Sequence, residues 1–263
     1  MSIIFSRDNP RARRWRGLAS DAGERRRQRR AIIEGENLIR AFIASGKAVE
    51  SLLLGKSASD GARFADLEKL SGKPPTVLAD SVFRSIVDVE TPAGIAAEIA
   101  IPSGVQDLKT AGACVFLEAI QDGGNVGTIL RSAAAFGIDH AVLGNGCADA
   151  WSPKVLRAAA GAHFSLQITE NADLLQTIES FAGKIVCTVP RGGIPISSAD
   201  LTGRIGWILG AEGQGVSDML AAHAMFEVSI PISRSTESIN VAAAAAICFY
   251  QSSLVAQHRH RGS

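Results

Sequence analysis

With 263 residues, 46% hydrophobic and only 5% aromatic, the chain can bury one large core or two smaller ones built mainly from Ala, Ile, Leu and Val. The net charge of +1 is unevenly spread: residues 1–30 hold ten Arg against Asp8, Asp21 and Glu24, for +7, and the remainder holds 17 basic against 23 acidic groups, for −6. No apolar run approaches the ~18 residues of a membrane span, and the N-terminal apolar patch is too short for a secretory signal, so neither a membrane nor export is expected.

The arginine-rich start predicts a polyanion partner, and nucleic acid fits it; the competing reading is a solvated, partly helical arm. Residues 31–100 then alternate short strands and helices. Strands are expected at Ala31–Ile33, Val49–Leu54, Thr76–Leu78 and Gly94–Ile101. Helices are expected at Glu36–Ser45, at Ala62–Leu70 and from a capping Ser81 to Val87. Glu34 and Glu36 flank Gly35 at a strand-to-helix turn and read as structural. Ile101–Ala111, with its Pro, Gly and polar residues, is the expected linker. The domains are therefore drawn as 1–102, a basic arm plus an α/β module, and 112–263.

A second α/β series starts at Ala113. Strands are expected at Ala113–Ala119, His140–Leu143, Ser165–Ile168, Lys184–Val189, Arg204–Leu209 and Phe226–Ile230. Helices are expected at Val126–Phe136, from Ser152-Pro153 to about Ala160, at Ala172–Phe181, at Ser217–Ala222 and from Ser238 to Ala256. Their aliphatic composition suits helices packed on a buried parallel sheet. Cys114, Cys147, Cys187 and Cys248 lie far apart with no C-x-x-C, which points to free buried thiols in a reduced, cytoplasmic protein and to no metal site.

Three polar loops follow three apolar strands of this series: Gln121–Asn125, Gly210–Gly215 and Ile232–Asn240. In a parallel sheet they would leave the same edge, where α/β folds place ligands. Asn125 and Arg131, six positions apart, are candidates to address one anionic or ribose-bearing substrate; the competing reading is an N-cap Asn and a surface Arg. LGAEGQGVS has neither the G-K-[ST] of a P-loop nor a G-x-G-x-x-G fingerprint, and Glu212 within it suits a neutral or cationic ligand better than a triphosphate. Ser238 reads as a helix cap, whereas Asn240, a mediocre helix former ahead of an Ala-rich helix, asks for a further reason.

Taken together, EAIQDGGNVGTILRSAAAFGI, WILGAEGQGVS and VSIPISRSTESINVAAAAAICFY resemble motifs 1, 2 and 3 of the SpoU (TrmH-type) RNA ribose 2′-O-methyltransferases of the SPOUT superfamily, in order and spacing, over Ala113 to Gln251. RRQRRAIIEGENLIRAFIASG and ETPAGIAA resemble the RNA-binding domain that often precedes them. The resemblance implies a C-terminal parallel-sheet methyltransferase domain closed by a deep trefoil knot, behind a smaller N-terminal α/β domain that binds rRNA or tRNA. It also implies S-adenosyl-L-methionine as cofactor, held by Gly210, Ile230 and Ile239, and a homodimer formed through the C-terminal domain. The family's catalytic positions fall on Asn125, Arg131, Glu212, Ser238 and Asn240. One departure is Arg234, near a place where relatives often carry Gly. Two alternatives stay open at this point: a catalytically silent RNA-binding protein on the same fold, and a base methyltransferase of the knotted superfamily.

Overall fold

The structure, a computed structural model, describes residues 3–59, 62–87, 89–102 and 108–260. The centre of the expected linker, residues 103–107, lies outside them. Two compact units emerge: Met1–Ser103 with Trp151–Phe164, and Gly104–Ala150 with Ser165–Ser263. The segment Trp151–Phe164 thus groups with the first unit, although chain order had placed it in the 112–263 domain.

The first unit begins with α1 (Pro10–Ser20) and α2 (Ala22–Gln28). Asn9 caps α1 and Asp21 caps α2, each accepting backbone N–H bonds from the first turn. The basic segment is therefore more than a solvated arm. Ala12, Trp15 and Leu18, spaced by three, turn one face of α1 into the core with Leu53, Leu78 and Phe83. Arg7, Arg11, Arg13, Arg26 and Arg27 stay exposed.

Next come β1 (Arg30–Glu34), α3 (Glu36–Ala44), β2 (Ser51–Gly55), α4 (Lys56–Ser59), α5 (Ala65–Ser71), β3 (Thr76–Leu78), α6 (Asp80–Arg84) and β4 (Ile95–Ala100). The strands form a sheet in the order β1-β4-β2-β3, antiparallel at β1/β4 and β4/β2 and parallel at β2/β3. Ser81 sits inside α6 rather than capping it, because the helix starts one residue earlier.

Glu98 on β4 is 3% exposed and ties α1 to this sheet. It accepts from Arg14 Nη1 at 2.9 Å and from Trp15 Nε1 at 2.8 Å, with Arg30 Nε at 3.7 Å. Burial pushes its carboxyl up, but the bonds from Arg14 and Trp15 and the charges of Arg14 and Arg30 outweigh that, so its pKa is lowered. A lowered carboxylate pKa adds stability above the unfolded value, roughly 4.3, and loses it as pH falls through the folded value. Glu98→Ala is expected to destabilise the protein by about 2–3 kcal/mol at pH 7, since Trp15 loses its acceptor and Arg14 its partner. Thermal melts of wild type and variant from pH 7 to pH 3 check this. The gap should narrow below about pH 4, and a constant gap would contradict the assignment.

The second unit contributes β5 (Ala113–Leu117), α7 (Gly123–Ala135) and β6 (His140–Gly144) before the chain enters the first unit as α8 (Pro153–Ala159). It resumes with β7 (Gln167–Ala172), α9 (Leu174–Ser180), β8 (Lys184–Thr188), β9 (Ile194–Pro195), β10 (Ile205–Leu209), α10 (Asp218–Ala221), β11 (Phe226–Ser229) and α11 (Val241–His260). Seven strands form a wholly parallel sheet in the order β7-β6-β5-β10-β8-β11-β9. The five residues of β10 are all buried at its centre, as expected of a strand covered on both faces. Cys114, Cys187 and Cys248 are buried, and burial pushes each thiol up to about 12. Leu117 pairs with Leu209, the last residue of β10, so β5 and β10 end level with one another, and with Leu143, one residue short of the end of β6. The loops that follow β5 and β10 therefore start side by side.

Candidate functional site

β5 ends in a turn that departs from ideal geometry: Ala119 takes a left-handed φ of 53°. A non-glycine residue there costs about 1–2 kcal/mol, which the surrounding turn must offset. Asp122 then caps α7, its carboxylate accepting the Asn125 N–H at 2.9 Å. The cap is thus Asp122, not Asn125, and the helix begins at Gly123, three residues before the expected start. The glycines read as loop because they are poor helix formers. In a first turn, whose N–H groups have no intrahelical partner anyway, they are tolerated.

Capping by Asp122 frees the Asn125 side chain. Its Nδ2 donates to Glu212 Oε1 at 2.9 Å. Asn240 Nδ2 donates to the same Glu212 oxygen at 2.8 Å and to Asn125 Oδ1 at 3.0 Å. Asn240 Oδ1 accepts from the N–H groups of Ala242 and Ala243, at 2.9 and 3.3 Å, and so caps α11. All three expected loops therefore meet in one hydrogen-bonded cluster. Only an amide fits position 240, because its oxygen is committed to the helix N–H groups and its nitrogen must face the carboxylate. Asn240→Asp would keep the cap but set a second carboxylate against Glu212. Loop closure, and any activity that depends on it, should fall by about tenfold or more at pH 7, with partial recovery as pH drops and the pair takes up a proton. Wild-type activity at pH 7 would contradict this.

The loop that carries Glu212 is held at both ends. The Gly215 N–H bonds Ala211 O at 2.8 Å, closing the turn, while Gly213 and Gly215 take φ of 86° and 73°. The Glu118 N–H bonds Leu209 O at 2.9 Å, and Glu118 Oε2 accepts the Ser217 N–H at 2.8 Å. Glu118 had no role in the sequence reading, and its one signal was an acid immediately after a buried strand. Gly210 is buried at the start of the same loop, and a Cβ there would lie 2.0 Å from Gly215 O. Only glycine lets the two backbone segments approach this closely.

The other expected residues stand apart from the cluster. Arg131 is exposed on α7. Six residues from Asn125, at about 100° per residue, it points roughly 120° around the helix. Among the described residues it makes no hydrogen bond or ion pair. Ser238 is exposed, two residues before the Asn240 cap, and does not cap α11. Ile230 and Ile239 are half-buried, after β11 and before α11. Arg234 is exposed in a turn where the Ser233 and Ser235 hydroxyls bond each other.

Gly210, Ile230 and Ile239 are the residues whose chemistry would suit S-adenosyl-L-methionine. Gly210 lets the Glu212 loop fold tightly beside it, the half-buried isoleucines offer apolar surface, and the Glu212 carboxylate on that loop suits a sulfonium cation. Among the described residues no cluster of His, Cys, Asp or Glu is placed to hold a metal.

Comparison with known proteins agrees with this chemistry. Residues 112–250 match the SpoU rRNA Methylase family, and residues 9–97 match an MRM3-like substrate binding domain. The 23S rRNA (guanosine(2553)-2′-O)-methyltransferase RlmP of Bacillus subtilis is 32% identical over 253 residues, 95% of this chain and 98% of that protein. A crystal structure of an RNA 2′-O ribose methyltransferase superposes with a TM-score of 0.79 at 25% identity, over 97% of this chain and 100% of that one. The SpoU methyltransferase AviRb of Streptomyces viridochromogenes, in complex with AdoMet, shares the fold, with a TM-score of 0.83 at 24% identity over 97% and 99% of the two chains.

Proposed function

The chain belongs to the SpoU rRNA methylase family, and from that premise we propose that it transfers a methyl group from S-adenosyl-L-methionine to a ribose 2′-hydroxyl of RNA. The observation that carries this reading is the Asn125–Glu212–Asn240 cluster, which ties three loops of one parallel-sheet edge together. Ribosomal RNA is the favoured substrate class, because a relative acting on 23S rRNA aligns over nearly the whole of both chains. Incorporation of label from methyl-tritiated S-adenosyl-L-methionine into ribosomal rather than transfer RNA tests that choice.

When bound, S-adenosyl-L-methionine supplies an electrophilic sulfonium methyl. The chain must bring a 2′-hydroxyl into line with it and help the hydroxyl lose its proton. Arginine side chains keep their proton at neutral pH, so Arg131 acts as a clamp on the adjacent phosphate and stabilises the developing alkoxide rather than serving as base. The proton leaves the hydroxyl as the new O–C bond forms and the S–C bond breaks, and passes to solvent. Asn125, Glu212 and Asn240 hold the loops in register, Gly210, Ile230 and Ile239 hold the cofactor, and Ser238 contacts the nucleotide.

A trefoil knot belongs to this reading; its support is the insertion of β10 between β5 and β8 together with the return of α11 onto α7, where Phe136 and Tyr250 meet edge to face. So does a homodimer through the second unit, supported by the exposed Ile247 and Tyr250 on α11. Placement in the cytoplasm, beside its RNA, completes it. Among the described residues no helix is long and apolar enough to cross a membrane.

The exposed arginines of α1 and α2 supply much of the RNA affinity. Binding to RNA should weaken steeply with salt, and replacing Arg11, Arg13 and Arg26 by Ala should lower the log–log slope by about two to three. Titrations at several salt concentrations read this directly. An unchanged slope would contradict it.

A further inference from the structure

In the first unit, Glu34-Gly35-Glu36-Asn37-Leu38 joins β1 to α3. Gly35 takes a φ of 93° and offers α3 no side-chain cap. These residues form one wall of an open groove of about 520 Å³, and Arg63, Ala93, Leu156, Arg157 and Ala160 line the rest. That volume is within the roughly 300–1,000 Å³ of small-ligand sites. An adjoining cleft shares Glu34, Leu38, Leu156 and Arg157 and adds the apolar side chains of Ile32 and Ile86.

The charged groups of this groove differ in how they are engaged. The Glu36 carboxylate is bound by Arg40 Nε and Nη2 at 2.9 and 2.8 Å. Arg63 and Arg157 are exposed, and among the described residues neither makes a hydrogen bond or ion pair. Glu34 is half-buried and accepts the Ala93 N–H at 3.1 Å. Burial pushes its carboxyl up, against the Ala93 bond and the charge of Arg157. A carboxylate with spare acceptor capacity, lining a groove together with two guanidinium groups that make no hydrogen bond or ion pair, that of Arg63 lying over the Phe64 ring at 4.8 Å, is suited to a ligand with paired N–H donors and flanking phosphates.

We propose that this groove is a second RNA-contact site, distinct from the methylation centre, that takes one unpaired guanine nucleotide. Glu34 accepts from the base, and Arg63 and Arg157 hold its phosphates. Guanine is the base whose Watson–Crick edge presents two adjacent donors, N1–H and the N2 amino group, to one carboxylate. Adenine and cytosine place an acceptor beside their amino group, and uracil sets its N–H between two carbonyls. Unstacked bases in loops are read on these edges. The inference rests on the reading of the chain as acting on RNA.

Fluorescence anisotropy of the whole protein with labelled UUUGUUU, UUUAUUU and UUUUUUU heptaribonucleotides tests it. Wild type should bind the guanine-containing probe about fivefold or more tightly than the other two. Glu34→Gln should bring all three within about twofold, and Arg63→Ala with Arg157→Ala should weaken every probe. Equal binding by wild type, or a guanine preference that survives Glu34→Gln, would overturn the proposal. Should Glu34→Gln melt far below wild type, the surface double variant decides, and unchanged affinity there also overturns it. Methyl transfer is read separately: its absence would defeat the methyltransferase reading, whereas a missing guanine preference with transfer intact would defeat the groove alone.

Discussion

Arg131→Ala is expected to lower methyl transfer by at least about a thousandfold while leaving affinity for S-adenosyl-L-methionine within about threefold. Arg131 stands apart from the hydrogen-bonded loops. Arg131 is exposed on α7 and engages none of the described residues, whereas Asn125, Glu212 and Asn240 are bound to one another. Removing Arg131 therefore breaks no loop contact, and its loss should be felt only where RNA phosphate and alkoxide charge develop. Arg131→Lys, a point charge without the planar fork, should recover only a small part of the rate. Single-turnover assays with calorimetric titration of the cofactor read both quantities. Loss of cofactor affinity would reassign Arg131 to the cofactor site. Light scattering on the same samples should give a dimer for wild type and variant alike, and a monomeric wild type would contradict the proposed assembly.

Gly210→Ala is expected to act in the opposite sense. Its Cβ would lie 2.0 Å from Gly215 O and 2.3 Å from Val216 N, both backbone atoms that cannot rotate away. The turn would have to open, moving Glu212 off Asn125 and Asn240. Cofactor affinity should fall by about a hundredfold or more, with some loss of stability, because the strain falls on the loop proposed to hold the cofactor. Gly213→Ala is a useful contrast, since a Cβ there meets no atom within 4 Å but the φ of 86° is unfavourable. It should cost stability of about 1 kcal/mol and little affinity. Near-wild-type cofactor binding by Gly210→Ala, measured by calorimetry, would remove this loop from the cofactor site.

The apolar strands of the second unit were readable because five-residue apolar runs bounded by Gly or polar turns have few other uses. β5 and β10 appear close to where those runs lie. What single residues do at the joins was less readable, because capping depends on which N–H groups are left unpaired. Asp122 rather than Asn125 caps α7, and Asn240 rather than Ser238 caps α11. The arginine-rich start was read as an RNA-binding or solvated, partly helical arm, and the packing of α1 into the core was missed although Ala12, Trp15 and Leu18 already marked a buried face. Trp151–Phe164 was assigned by chain order, whereas its contacts group it with the first unit. Of the expected catalytic residues, three meet in one cluster, and Arg131 and Ser238 remain outside it. Their roles depend on a substrate that the chain by itself does not supply.

The central claim is tested most directly by the chemical position of the transferred methyl. RNA from cells lacking the protein is incubated with the purified chain and methyl-tritiated S-adenosyl-L-methionine, then hydrolysed with alkali. A methylated 2′-oxygen cannot attack its neighbouring phosphate, so ribose methylation predicts label in an alkali-resistant dinucleotide, at one site of ribosomal RNA, and none with Arg131→Ala. Label in a mononucleotide, the signature of a methylated base, or incorporation no greater than that of Arg131→Ala, would contradict the account.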